Sequence, residues 1–131
     1  MTTSTTTTAA DLARTSLALV KAGRRDEWLA LFDDDSVIED PVGVSPLDPE
    51  GKGHRGSAAI ARFYDQGIAG VKTFDYKIER MCLRGNEAAV IVNFDITSAD
   101  GQRMTFDAFN IYVQGPDGIL AALRSFHHGE E

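Results

Sequence analysis

Apolar residues recur at helical spacing in the first half of the chain. Over residues 11–22 they fall on one face of a helix, and a glycine follows where that helix would end. The apolar positions of that face are Leu12, Leu19 and Val20. Two further helices are predicted, with Asp26 and Ser57 as their N-caps. The pattern therefore places three helices before residue 70.

Alternation of apolar and polar residues predicts strands elsewhere. A first strand, within VIEDPVG, ends at Pro41 and is followed by a loop rich in proline and glycine, SPLDPEGKGHRG. Four more strands are predicted after residue 70, separated by the turn signals RGN, ADGQ and GPDG. They are residues 73–83, 87–97, 104–113 and 119–127. Helices followed by hairpin-linked strands indicate an α+β domain with helices on one face of an antiparallel sheet. A dimer could cover the other face.

Length and charge narrow the class of protein. The 131 residues suffice for one domain, predicted as a disordered polar tail over 1–10 and a single domain over 11–131. A net charge of −7 disfavours nucleic acid and anionic membranes as partners, and no apolar run approaches the ~18 residues of a membrane span. The single cysteine, Cys82, is compatible with a reducing cytoplasm. We therefore expect a cytoplasmic protein that binds a small neutral or apolar molecule.

Two carboxylates lie on strand faces that also carry apolar residues. Asp40 shares a face with Ile38, and the same count places Asp107 with Phe109. An acid in a dry cavity is costly when ionised, so two such acids can divide the work of proton transfer between a base and a protonated donor. For either acid alone, capping a turn or pairing with an arginine is the commoner role. Ser16 lies on the inward stripe of the first helix, which is unusual for a serine.

The segments WLALFDDDSVIEDPVG and RGSAAIARFYDQ resemble the ketosteroid isomerases of the nuclear-transport-factor-2-like, or SnoaL-like, superfamily. The similarity extends from about residue 11 to the last strand. It implies a cystatin-like α+β fold, in which three N-terminal helices wrap a curved antiparallel sheet into a cone around an apolar pocket. It also implies a homodimer that moves a double bond in a 3-oxosteroid without a cofactor or metal.

The resemblance also implies roles for individual residues. By position, Asp40 matches the general base, and Asp107 matches the neutral acid that stabilises the oxyanion. Ser16 occupies the place of the oxyanion-hole tyrosine, which it is too short to replace directly. Either a water relays that contact, or Asp107 acts alone, or the reaction differs. The residues expected to contact the substrate are Tyr64, Phe32, Val20, Phe109 and Ser125.

The leading hypothesis is a steroid Δ-isomerase that works through a dienolate. Two alternatives remain open. One is a non-catalytic binding module for a hydrophobic ligand, since fold alone does not imply function. The other is a relative of epoxide hydrolases, for which Arg103 would have to join a polar cluster in the pocket. The loop over residues 45–56 is predicted to be a surface insertion, with His54 exposed. The C-terminal HHGEE has no metal-ligand spacing, so no metal site is expected.

Overall fold

Three helices and six strands make up the protein in the computed structural model, which describes residues 6–127. The helices are α1 (Ala9–Ala22), α2 (Arg25–Leu29) and α3 (Ser57–Gly67). The strands are β1 (Val37–Glu39), β2 (His54–Arg55), β3 (Thr73–Arg84), β4 (Glu87–Thr97), β5 (Arg103–Gln114) and β6 (Leu120–Phe126). The prediction of three helices followed by four long strands is confirmed, and β2 is an addition within the predicted loop. The residues after His127 in HHGEE lie outside the described part.

The first helix begins earlier than the sequence pattern indicated. The Thr8 side chain accepts a hydrogen bond from the Asp11 backbone N–H, and the Asp11 carboxylate accepts one from the Thr8 N–H. This reciprocal capping box fixes the helix start at Ala9, and both Ala9 and Ala10 are buried. The last two residues of the predicted tail therefore belong to the folded domain. Residues 1–5 of that tail lie outside the described residues.

The starts of the other two helices also differ from the prediction. Arg24 rather than Asp26 occupies the N-cap of α2, and Gly56 rather than Ser57 occupies that of α3. The Ser57 backbone N–H donates instead to the carboxylate of Asp34, at 3.2 Å. The Asp34 side chain therefore accepts a hydrogen bond at the start of α3, where the sequence predicted Ser57 as the capping residue.

The strands form one sheet in the order β2-β1-β6-β5-β4-β3. Neighbouring strands are antiparallel except for β1 and β6, which are parallel and pair Ile38 with Leu123. The sheet curves without closing, and α1 packs across β3, β4 and β5. The α+β fold predicted from the sequence is confirmed, with one parallel pair in a sheet that was expected to be wholly antiparallel.

A buried serine ties β1 into this sheet. The Ser36 hydroxyl donates to the carbonyl of Leu120 at 2.7 Å, and the Ser36 carbonyl accepts the N–H of Gly56 at 2.9 Å. Beyond Pro41, the N–H of Val42 donates to the carbonyl of Ser125, which continues the contact with β6. The chain around Asp40, which follows β1 directly, is therefore held on both sides of that residue.

The inward face of β5 is the opposite of the one predicted. Ala108, Asn110 and Tyr112 are buried against the helices, whereas Asp107 is exposed and Phe109 is 55% exposed on the outer face. The prediction of the inward face is wrong because both alternating sets of β5 contain large apolar residues. Period-two alternation shows that two faces exist but not which one is buried.

One glycine in the loop between β1 and β2 is required by its surroundings. Gly53 has a φ of +84°, and a Cβ there would lie 2.8 Å from Val37 Cγ2. Gly53→Ala is therefore expected to lower the free energy of unfolding by about 1 kcal/mol or more, as measured by urea denaturation. Gly70→Ala, whose Cβ meets nothing within 4 Å, serves as the control and should stay within about 0.5 kcal/mol of wild type. Equal losses in the two variants would contradict this account.

No helix within residues 6–127 is long and apolar enough to cross a membrane.

Candidate functional site

A cavity of about 260 Å³ lies between the helices and the concave face of the sheet. Its volume is near the small end of ligand pockets, which span roughly 300–1,000 Å³. Most of its wall is apolar, including Leu17, Val20, Phe63, Phe74, Phe94 and Phe106. Its polar lining consists chiefly of Ser16, Asp40, Asn110, Tyr112, Ser125 and His127. A few hydrogen-bonding groups in an apolar wall are typical of a site that orients a hydrophobic ligand.

Asp40 reaches this cavity from the chain that follows β1. Its carboxylate is about one-third exposed, and the preceding inward residue, Ile38, is fully buried, as the strand alternation predicts. The Asp40–Pro41 peptide bond is cis. His127 Nε2 lies 3.3 Å from Asp40 Oδ1, and the His127 ring packs on Phe106 with 5.2 Å between ring centroids. Asp40 is thus a carboxylate at the cavity wall with a histidine beside it.

Three buried side chains form a hydrogen-bonded chain along the sheet face of the cavity. The Ser125 hydroxyl donates to Asn110 Oδ1 at 2.6 Å, and Asn110 Nδ2 donates to the Tyr112 hydroxyl oxygen at 3.1 Å. Burial raises the pKa of Tyr112, the hydrogen bond from Asn110 opposes that change, and the nearby charge of Asp40 adds to it. Tyr112 is therefore a neutral phenol at physiological pH.

Sequence reasoning missed Asn110 and Tyr112 because it assigned β5 to the wrong face. The available signal was the polar Asn110 between apolar positions of the same parity, Ala108 and Tyr112. An asparagine there needs hydrogen-bond partners if it is buried. Ser125, in contrast, lines the cavity, and so does His127.

Ser16 is buried and lines the cavity, in keeping with its place on the inward stripe of α1. Its Oγ accepts a hydrogen bond from Trp28 Nε1 at 3.0 Å. The indole N–H uses one lone pair of the serine oxygen, which leaves the hydroxyl hydrogen able to donate. Ser16 is thus a short donor held in place by a tryptophan.

The other predicted substrate-contacting residues divide between cavity, core and surface. Val20 lines the cavity. Phe32 and Tyr64 instead pack around Trp28 in the core, with ring centroids 4.8 and 5.3 Å from that indole. Asp107 and Phe109 lie on the outer face, where the Asp107 carboxylate accepts a hydrogen bond from Asn93 at 2.6 Å. Asp107 is therefore corrected from an oxyanion-hole acid to a surface carboxylate.

The long loop after β1 reaches the site, contrary to its interpretation as a surface insertion. Leu47 lines the cavity, and its Cδ1 lies 3.0 Å from where a Cβ at Gly67 would be, so the loop packs on α3. Asp48 holds the loop through hydrogen bonds from the backbone N–H groups of Lys52 and Gly53. The loop thus contributes part of the cavity wall.

The structure also places Arg103 and His54, two residues considered in the sequence analysis. Arg103 is exposed and forms an ion pair with Asp95 at 2.7 Å, so it does not join a polar cluster in the cavity. His54 is half-buried rather than exposed, and its ring packs on Phe63 with 4.8 Å between centroids. Within residues 6–127, no group of three or more His, Cys, Asp or Glu side chains is arranged to hold a metal ion.

Comparison with known proteins fits this arrangement. The model of the SnoaL-like domain family matches residues 13–123. The chain belongs to the SnoaL-like family. This assignment confirms the resemblance to that superfamily. No sequence match is found among curated proteins.

Solved structures similar to this SnoaL-like domain include two mycobacterial proteins. A Δ5-3-ketosteroid isomerase from Mycobacterium sp. is 32% identical, with 90% of this chain and 91% of that chain covered and a TM-score of 0.83. RV0760c from Mycobacterium tuberculosis, in complex with estradiol-17β-hemisuccinate, is 29% identical, with 90% and 92% covered and a TM-score of 0.83.

A computationally designed 17-OHP binder is also similar, at 30% identity, with 91% and 92% of the two chains covered and a TM-score of 0.82. These relatives of the SnoaL-like domain therefore include an isomerase and proteins that bind steroids.

Proposed function

We propose that this SnoaL-like domain isomerises a steroid-like β,γ-unsaturated ketone, with Asp40 as the general base. The observation that supports it most is the position of Asp40 in an apolar cavity, where His127 beside the carboxylate is the only other acidic or basic side chain in the lining of the described residues. A carboxylate next to a ketone can remove a proton from the adjacent carbon. The relatives that bind steroids support a flat, hydrophobic molecule as the substrate, and the Δ5-3-ketosteroid isomerase supports a ketone in particular.

The proposed reaction moves one proton within the substrate. Asp40 removes it from the carbon between the carbonyl and the alkene, and the electron pair shifts onto the ketone oxygen to give a dienolate. Asp40 then returns the proton to the far carbon of the alkene, and the carbonyl re-forms in conjugation with the new double bond. His127 Nε2, at 3.3 Å, limits the orientations of the carboxylate during both transfers.

Stabilisation of the dienolate oxygen rests on neutral donors in this proposal. Since Asp107 lies on the outer face, the cavity has no second carboxylic acid at that position. The neutral groups available to it are the hydroxyl of Ser16 and the chain of Ser125, Asn110 and Tyr112. Hydrogen bonds fixed before reaction stabilise a developing oxyanion strongly in a dry site.

The second candidate function is steroid binding without turnover. It is favoured by the absence of a carboxylic acid where the resemblance implied one, among the residues described, and by relatives solved or designed with steroid ligands. Under this hypothesis Asp40 and His127 would serve only to orient the ligand.

A steady-state assay on androst-5-ene-3,17-dione, followed by the ultraviolet absorbance of the conjugated enone, separates the two functions. We predict turnover by the wild type and a rate within about twofold of it for Asp107→Asn, because that carboxylate lies outside the cavity. Calorimetric titration with the conjugated product should give similar affinities for both. Binding without enone formation would favour the second function, and a large loss in Asp107→Asn would contradict the assignment of that residue to the outer face.

A further inference from the structure

The chain of Ser125, Asn110 and Tyr112 ends in the hydroxyl group of a residue that lines the cavity. Ser125 donates to the Asn110 carbonyl oxygen, and the Asn110 amide donates to the Tyr112 oxygen. Both steps run in the same direction, so each group enters the next hydrogen bond already polarised. Within residues 6–127 the structure records no acceptor for the Tyr112 hydroxyl hydrogen. That hydrogen is therefore the free donor at the end of the chain.

We infer that Tyr112 donates the principal hydrogen bond to the ketone oxygen of the ligand, oriented by Asn110 and Ser125. This inference rests on the proposed function and identifies the donor within the same site. In this role Tyr112, on β5, supplies the phenol that the resemblance implied at the position of Ser16 on α1.

Burial supports this role for Tyr112. The side chain is 1% exposed, so its ring is fixed by packing, and the residue belongs to the cavity lining rather than to the outer surface. A fixed donor in a dry site needs little reorganisation when charge develops on the ligand oxygen. Asn110 and Ser125 are also buried, at 4% and 2% exposure, so the groups that orient the hydroxyl are themselves held in place.

Chemistry favours Tyr112 over the other neutral donors of the cavity. A phenol, with a reference pKa near 10, is much more acidic than a serine hydroxyl or an amide and forms a stronger hydrogen bond to an enolate oxygen. The Asn110 amide already donates one of its two hydrogens to the Tyr112 oxygen. Ser16 is fixed by Trp28 and offers a short aliphatic hydroxyl.

The test measures the carbonyl of a bound ligand directly. Testosterone labelled with ¹³C at C3 has a single ketone and is already conjugated, so its infrared band reports hydrogen bonding without turnover. We expect binding to wild type to move this band to lower frequency and Tyr112→Phe to abolish most of that shift. The variant should also weaken binding by about 2- to 10-fold and lower kcat on the β,γ-unsaturated ketone by about 10²- to 10³-fold.

Two further variants keep the test specific. Tyr64→Phe also removes a tyrosine hydroxyl, but Tyr64 packs on Trp28 in the core and lies outside the cavity lining, so the band, affinity and rate should not change. Ser125→Ala removes the first donor of the chain, and we expect a partial loss of the shift that Ser125→Thr restores. Circular dichroism establishes that each variant is folded before it is compared.

The outcomes separate this inference from the proposed function. A wild type that turns over, with band and rate unchanged in Tyr112→Phe, would leave the isomerase intact and overturn the role of Tyr112. The same result is expected if the Asn110 side-chain amide has the opposite orientation, with its oxygen and nitrogen exchanged. The Tyr112 hydroxyl would then donate its hydrogen to the Asn110 oxygen and not to the ligand. A shift that depends on Tyr112 without any turnover would uphold the donor and overturn the isomerase. Failure of testosterone to bind, together with no turnover of androst-5-ene-3,17-dione, would overturn both.

Discussion

Asp40→Asn is expected to lower kcat for enone formation by about 10²- to 10⁴-fold while changing the affinity for the conjugated product little. Asparagine has nearly the same shape as aspartate but cannot accept the proton at neutral pH. The side chain would still occupy the wall of the cavity and lie near His127. The measurement is steady-state turnover of the β,γ-unsaturated ketone, with product affinity determined in parallel by calorimetry.

Glu39→Gln is the matched control, since it removes a carboxylate from the neighbouring residue. Glu39 forms an ion pair with Arg124 at 3.0 Å and has the opposite strand parity to Asp40, so its charge plays no part in the proposed proton transfer. We expect its kcat to stay within about twofold of wild type. An Asp40→Asn rate equal to that of Glu39→Gln would remove Asp40 from the role of base. A variant that neither turns over nor binds product would indicate a damaged cavity instead.

Trp28→Ala is expected to lower the free energy of unfolding by about 3–5 kcal/mol. Trp28 is 1% exposed, and its ring packs against those of Phe32 and Tyr64, so truncation leaves a large void in the core. It also removes the N–H that holds the Ser16 hydroxyl. Urea denaturation followed by circular dichroism measures the change, because the variant lacks the single tryptophan of the sequence.

Two comparison variants separate packing from hydrogen bonding at this position. Trp28→Phe retains much of the ring contact and loses the bond to Ser16, so its loss of stability should be clearly smaller. Phe126→Ala truncates an aromatic residue that is 40% exposed, and we expect a cost below about 1 kcal/mol. If Trp28→Ala cost no more than Phe126→Ala, the tryptophan would not be part of a tightly packed core.

The order and limits of the long strands were predictable because the turn signals between them are strong. The hairpins at RGN and ADGQ join strands that pair in simple register, with Arg84 opposite Glu87 and Thr97 opposite Arg103. The approximate position of Asp40 was likewise predictable, because Pro41 ends the strand and Ile38 marks the buried parity. Local sequence chemistry therefore determined these features.

The composition of the site was less predictable, for two physical reasons. Both faces of β5 include large apolar residues, so the sequence does not show which face is buried. Only the fold shows that Tyr112 is buried and that Phe109 is exposed. The other reason is distance along the chain. The contacts of Ser16 with Trp28 and of Asp40 with His127 join residues that only the folded topology brings together. No local pattern encodes such pairs.

The strand farthest from Asp40 has a consequence for behaviour at high protein concentration. β3 is an edge strand, and a register shift between Ile78 and Arg80 interrupts its pairing with β4. Five of its twelve residues are charged, namely Asp75, Lys77, Glu79, Arg80 and Arg84. Charges and irregularities on an edge disfavour the addition of a strand from another molecule. This edge of the open, curved sheet is thereby a poor template for aggregation.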